Sequence, residues 1–257
     1  MVSTKLTYPN KEIKNEGEPK NSSLSYNEVL LVNKLRNIKV MRTYKGTIFT
    51  ELKDTQKGKD IYVVGSGPSL KYIDKNFLKD KVVIGCNHVR NFVKCNYTVK
   101  IHRIDKNQDL HGSKLVICEH NCGYSTTLNH HKEPFYYFKH VKNNGYNIDT
   151  SVVDSEDKLV VSGSVMSSAI HFAYYLGASN IILIGHDCGF LDAKSNLDNY
   201  NEGNNKKTEL EVLKRDGDLW EQQTLELVNI LRSKGIGVMS INPFINFNLE
   251  GHKYSKS

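Results

Sequence analysis

The chain has 257 residues, 39% of them hydrophobic, with 35 Lys and Arg against 28 Asp and Glu and a formal net charge of +7. That length buries a large core in one substantial domain, and its five cysteines, an odd number, exclude a secreted disulfide framework and fit a reducing, cytoplasmic setting. No run approaches the ~18 apolar residues of a membrane helix and no apolar signal region opens the chain; the positive charge suits an anionic ligand or partner but decides little alone, and the scattered lysines make no aromatic-laced basic face of the kind that binds nucleic acid.

Residues 1–23 are polar and aperiodic, with too little apolar surface to offset the entropy of ordering, so a disordered or loosely attached tail is expected there. Residues 24–58 read as a helical extension. Val29, Leu30, Val32, Leu35 and Ile38 recur near helical spacing, and a second helix is expected over 41–58, ending at the Lys57-Gly58-Lys59 turn. The main domain then occupies 59–248, and 249–257 reads as a flexible tail.

Ile61-Tyr62-Val63-Val64 followed by Gly65-Ser66-Gly67-Pro68-Ser69-Leu70 reads as a buried parallel strand, a tight turn and the start of a helix. Two glycines let backbone amides approach a ligand, and free amides at a helix start favour phosphate. The third glycine of a dinucleotide fingerprint and the Gly-Lys-Ser/Thr ending of a P-loop are both missing, so a plain strand-to-helix connection is the alternative. Lys81 to His88 is a second buried strand that places Asn87 at its carboxyl end, where open sheets take ligands; the bland reading is an asparagine that ends a strand. Cys86 beside it reads as a small buried hydrophobe.

Tyr97–Arg103 and Lys114–Cys118 are a third and a fourth strand, with His102 and Asp105 at the end of the third. Cys118, Cys122, His130 and His131 are zinc-ligand types, but Cys118 ends an apolar strand and no second cysteine pair follows, so a structural cysteine and solvated histidines are expected. Phe135–Phe138 is a further strand. In the second informative block, Ser162-Gly163-Ser164 opens a small-residue helix, Gly177 stops it, and Ile181–Ile184 runs as a buried strand into Gly185-His186-Asp187. Ser162, Gly163 and Ser164 offer phosphate or ribose contacts, or merely cap the helix; Asp187 is placed to hold Mg²⁺ or a sugar hydroxyl. Residues 188–208 read as a mobile lid, Leu210–Lys234 as an amphipathic helix and 237–242 as a last strand.

The Gly-Ser-Gly-Pro-Ser-Leu run at 65–70, with the Leu176-Gly177-Ala178 turn and the Ile-x-Leu-x-Gly-x-Asp pattern ending at Asp187, resembles the signatures of the 6-hydroxymethylpterin diphosphokinase-like (MptE-like) superfamily. Flagellin glycosylation factors and, more distantly, bacterial CMP-sialic-acid sialyltransferases share them. The resemblance implies an α/β, Rossmann-like, mainly parallel sheet with helices on both faces. It also implies a transferase acting on a nucleotide co-substrate and a small hydroxyl acceptor, pterin-like or glycan. Its first form is diphosphoryl transfer from ATP with Mg²⁺ at Asp187 and with His102 or Asp105 assisting; its alternatives are CMP-sugar glycosyl transfer and a non-catalytic nucleotide-binding module. Cys86-Asn87 matches a sialyltransferase pair whose asparagine contacts the nucleotide. The chain departs from the pattern in three places: His102 stands where MptE-like proteins often carry aspartate, Ser66 replaces the sialyltransferase asparagine, and no histidine lies between His186 and His252 to serve as their base.

Overall fold

The computed structural model describes residues 46–101, 109–118, 135–139, 149–188 and 206–241. The chain divides into two units, Met1–Arg42 and Thr43–Ser257, and every described residue belongs to the second. Its strands are β1 (Gly46–Ile48), β2 (Asp60–Val64), β3 (Val82–Cys86), β4 (Tyr97–Lys100), β5 (Lys114–Cys118), β6 (Phe135–Phe138), β7 (Asn180–Ile184) and β8 (Gly237–Ser240). They form one sheet in the order β1-β6-β5-β4-β3-β2-β7-β8, with every pairing parallel. Helices α1 (Val165–Tyr175) and α2 (Lys206–Ser233) complete the α/β, Rossmann-like arrangement.

A parallel sheet must be covered on both faces, which is why its strands are apolar throughout instead of alternating with polar residues. Successive side chains still point to opposite faces. Ile61, Val63, Ile84, Ile181 and Leu183 enter one core with α1 and with Leu227, Val228 and Leu231 of α2. Tyr62, Val64, Val83, Ile182 and Ile184 enter a second with Leu70, Leu78 and Val89, which come from the short 3-10 segments Pro68–Tyr72, Lys75–Leu78 and Val89–Asn91. The helix start expected after the glycine turn is thus a five-residue 3-10 segment. Ile73 is extended, and Asp74 accepts from the Asn76 amide to begin the next segment, which stops the first.

The second helix expected within 41–58 is replaced by strand β1 and a 3-10 segment, Phe49–Leu52. β1 pairs with β6, and Phe49, fully buried, lies against Tyr175 at a ring-centroid distance of 4.3 Å, with Phe172 at 6.2 Å and Phe138 at 6.4 Å. These non-local contacts decide the conformation of a stretch too short for periodicity to settle. The turn that follows closes α1: the amides of Asp54, Gln56 and Gly58 donate to the carbonyls of Tyr175, Leu176 and Gly177 at 3.1, 2.8 and 2.8 Å. Carbonyls at a helix end otherwise lack partners. Gly177 stops the helix as the sequence predicts, at φ +89°, and a Cβ there would sit 2.9 Å from the Lys57 Cα.

Truncating Phe49 to alanine removes the ring that ties β1 to α1 and β6, so the variant is expected to lose about 3–5 kcal/mol in urea unfolding. A loss under about 1 kcal/mol would mean that residues 46–52 add nothing to the domain's core.

Candidate functional site

From β2 the chain steps outward through β3, β4, β5 and β6, then returns to the other side of β2 with β7 and β8. The order therefore reverses between β2 and β7, and the crevice beyond the carboxyl ends at such a switch point is where open sheets bind ligands. Both signature turns lie there. They are joined by a continuation of the strand ladder: the Gly65 amide donates to the Ile184 carbonyl at 2.7 Å and the Gly67 amide to the Gly185 carbonyl at 2.8 Å. A Cβ at Gly65 would lie 2.5 Å from the Gly185 oxygen, and one at Gly67 2.6 Å from the same oxygen and against an Asp187 carboxylate oxygen. The glycines thus admit the neighbouring turn rather than a ligand.

Asp187 completes the closure. One carboxylate oxygen accepts from the Ser69 amide at 2.8 Å and the other from the Ser69 hydroxyl at 2.6 Å. The two side chains are 3% and 2% exposed. Burial pushes the Asp187 carboxyl up to about 6, and the two Ser69 hydrogen bonds oppose that rise. The Ser69 amide, which sequence reasoning assigned to phosphate, is thereby occupied by the protein's own carboxylate. Both Asp187 oxygens accept hydrogen bonds from Ser69, so the carboxylate that the sequence offers to Mg²⁺ is engaged within the protein. Among the described residues no group of three or more His, Cys, Asp or Glu side chains is arranged to hold a metal.

The start of α1 abuts the same crevice. Met166, in its first turn, lies 3.3 Å from the Cys86 sulfur at the end of β3 and within 3.2 Å of the position a Gly65 Cβ would take. Ser164 is the N-cap, its hydroxyl accepting from the Met166 amide at 3.2 Å, while the Ser162 hydroxyl meets that of Ser167 at 2.7 Å and accepts from the Ser164 amide at 3.2 Å. The serines therefore cap the helix. Asn87 is different. It sits at φ +53°, a left-handed conformation that asparagine tolerates, with its amide donating to the Val99 carbonyl and its own carbonyl accepting from Arg90 Nη1. Its Oδ1 is buried and has no hydrogen-bond partner. Ser66 and Pro68 flank the turn, half-buried and buried respectively.

Sequence reasoning missed the contribution of α2. The Thr224 hydroxyl donates to the Trp220 carbonyl at 2.8 Å and, its proton taken up, accepts from His186 Nε2 at 2.8 Å. Trp220 also covers the Ser162-Gly163-Ser164 turn, for a Cβ at Gly163 would lie 2.8 Å from its indole nitrogen. The available signal was the helical spacing of Trp220 and Thr224, which places them on one face. His171 is structural: Nδ1 accepts from the Val160 amide and Nε2 donates to the Val153 carbonyl, both at 2.8 Å. Burial holds His171 and His186 down at about 4.

His102, Asp105, Cys122, His130, His131 and, of the lid expected over 188–208, residues 189–205 lie outside the described residues; the lid's expected last residues, 206–208, instead begin α2. Cys118 ends β5 as a buried core residue.

No family model matches the chain, and no curated protein matches it in sequence. Among solved structures, the MAf glycosyltransferase from Magnetospirillum magneticum AMB-1 aligns at 17% identity and a TM-score of 0.44, covering 63% of this chain and 29% of that one, so the chain spans under a third of that protein's length. A mammalian sialyltransferase aligns at 14% identity and a TM-score of 0.42, covering 90% of this chain and 82% of that one. The fold described above stands on its own strand pairing.

The buried groups predict a pH dependence with opposing parts. Both histidines, held at about 4 from an unfolded value near 6.5, give stability that is complete above that value and lost as pH falls towards 4. Asp187, raised to about 6, acts oppositely, its neutral form giving stability that is lost as pH rises through 6. Between pH 4 and 6 the unfolded chain gains two protons on histidine while the folded one keeps one on Asp187, so stability is expected to fall by about 1.4 kcal/mol per unit of acidification. In Asp187→Asn the opposing part is gone, and the slope should approach about 2.7 kcal/mol per unit. Urea unfolding at several pH values measures both slopes; equal slopes would remove Asp187 from the titration.

Proposed function

We propose that the chain is a nucleotide-dependent transferase whose donor is a nucleotide sugar, seated at the carboxyl ends of β2, β3 and β7. The observation that carries this reading is the buried, unpartnered Oδ1 of Asn87 at the crevice. A buried acceptor without a partner forfeits free energy that a ligand donor restores. Phosphate at neutral pH offers acceptors, so the matching groups are a ribose hydroxyl or a base amine. The resemblance of Cys86-Asn87 to the sialyltransferase pair points to the same part of a nucleotide.

Diphosphoryl transfer from ATP asks more of this crevice. It needs the glycine turn to cradle a chain of phosphates and a metal to offset their charge. Here Ser69 is held by Asp187, and a Cβ-free approach at Gly65 and Gly67 is filled by Gly185 and Asp187. A donor with a single phosphate, such as a CMP-sugar, makes neither demand. In that transfer an acceptor hydroxyl attacks the sugar carbon as its bond to the phosphate oxygen breaks, the nucleoside monophosphate leaves, and the hydroxyl proton passes to solvent; the positive end of α1 favours the departing phosphate. A non-catalytic nucleotide-binding module would use the same contacts without turnover.

The test is a binding panel of CMP, CMP-sialic acid, UDP-sugars and ATP, each with and without Mg²⁺, read by calorimetry and thermal shift. A metal-independent response to CMP or its sugar is expected, worth about 2.7 kcal/mol of stability when ligand stands at a hundred times Kd. Asn87→Gly, which keeps the left-handed backbone at φ +53°, should weaken that binding about 5- to 100-fold with the unfolding midpoint little changed. A response confined to ATP with Mg²⁺ would reverse the choice between the two transferases. CMP-sugar binding with no release of CMP, with or without glycan acceptors, would leave the binding module.

A further inference from the structure

We propose that Trp220 forms a wall of this site and stacks on the nucleobase of the bound donor. The proposal rests on the nucleotide-sugar reading given above and adds to it a binding residue that the two signature motifs do not contain.

Trp220 is the chain's single tryptophan. It is half-buried on α2, and the pyrrole edge of its indole is turned to the Ser162-Gly163-Ser164 turn: a Cβ at Gly163 would lie 2.8 Å from Nε1 and 3.2 Å from Cδ1. The absence of a side chain at Gly163 is therefore what admits the indole to the start of α1. Four residues on, Thr224 accepts from His186, next to Asp187. One turn of α2 thus touches the turn before α1 and the turn after β7, and the indole stands against the start of α1, whose Met166 reaches Cys86 beside Asn87.

A buried or half-buried indole ordinarily finds a partner for its N–H and an aromatic or aliphatic neighbour for its face. Among the described residues Trp220 has neither a ring contact nor a hydrogen bond through Nε1. The indole face is thus without an aromatic partner among the described residues, while the Nε1 edge packs on the Gly163 turn. A nucleobase offers the flat face that such a ring stacks on, whereas a sugar ring offers no flat π-face and a phosphate no apolar surface. Asn87, on the other flank of α1, then meets the ribose end of the same ligand.

Because there is one tryptophan, emission excited at the red edge of the absorption band, beyond the 14 tyrosines, reports this residue alone, and the unaltered protein can be tested. Titration with CMP and CMP-sialic acid is expected to quench the emission, saturating at the Kd found by calorimetry. Trp220→Ala should weaken binding roughly 5- to 100-fold, while Trp220→Phe, which keeps a stacking face, should stay within about 3-fold of the unaltered protein. Calorimetric binding with unchanged emission would overturn the proposal and leave the nucleotide reading intact. So would quenching with unweakened binding by Trp220→Ala, since the change in emission would then be indirect. If no nucleotide binds by calorimetry, the reading of the site and the proposal fall together. If Trp220→Ala does not fold, the emission titration and the phenylalanine variant still decide.

Discussion

The contact on which the crevice depends is the pair of hydrogen bonds from Ser69 to Asp187. An isolated carboxylate in that position would be costly to bury; one that accepts a backbone amide and a hydroxyl is tolerable, and its raised affinity for a proton records the remaining cost. The pair fixes the turn after β2 to the turn after β7, and the other local features follow. Two backbones held that closely leave no room for Cβ atoms at positions 65 and 67, and the return path requires the left-handed conformation at Gly185. What looks in sequence like an open phosphate loop is in the fold a closed junction that shapes one wall of the crevice.

Helix α1 transmits that geometry to the rest of the site. Its buried residues pack beneath β2, β3 and β4, its carboxyl end is satisfied by the amides of the 54–58 turn, and its first turn touches the ends of two strands. Any shift of α1 along its axis would move Met166 against Cys86 and break the alignment of Gly58 with Gly177. The helix is thus held at both ends by different parts of the chain. A binding residue supported this way is pre-positioned, which lowers the entropy lost when a ligand arrives.

Much of the architecture was legible because buried parallel strands announce themselves as short β-branched runs, as at Ile61–Val64, Val82–Cys86 and Ile181–Ile184. Strand β1 was not, since three residues carry no period and their conformation is imposed by Phe49 and the pairing with β6. In the site, the positions of both signature turns and of Asn87 were readable from strand ends. The partners of Ser69 and Asp187 were not: they are 118 residues apart, and each residue alone has a ready interpretation as a ligand group. Ser162 and Ser164 had two readings in the sequence, and the helix-capping one is what their hydrogen bonds display. Trp220 escaped notice because its role comes from a missing side chain at Gly163, and no local pattern links the two.

The central pairing of β2 with β7 also bears on how the chain acquires its shape. β2 is an inner strand, third from one edge of the sheet, and its registry with β7 joins Asp60 to Asn180 and Val64 to Ile184. Closing so long a loop brings entropy loss before any contact rewards it, so this pairing belongs to the slow, late part of folding. A ribosome delivers β3 to β6 well before β7 exists. Until then the outer edge of β2 is an open row of amides and carbonyls flanked by apolar side chains, the kind of edge to which a second chain readily adds. The crevice and the protection of that edge therefore arrive in the same step, and a nascent chain stalled before residue 180 would have neither.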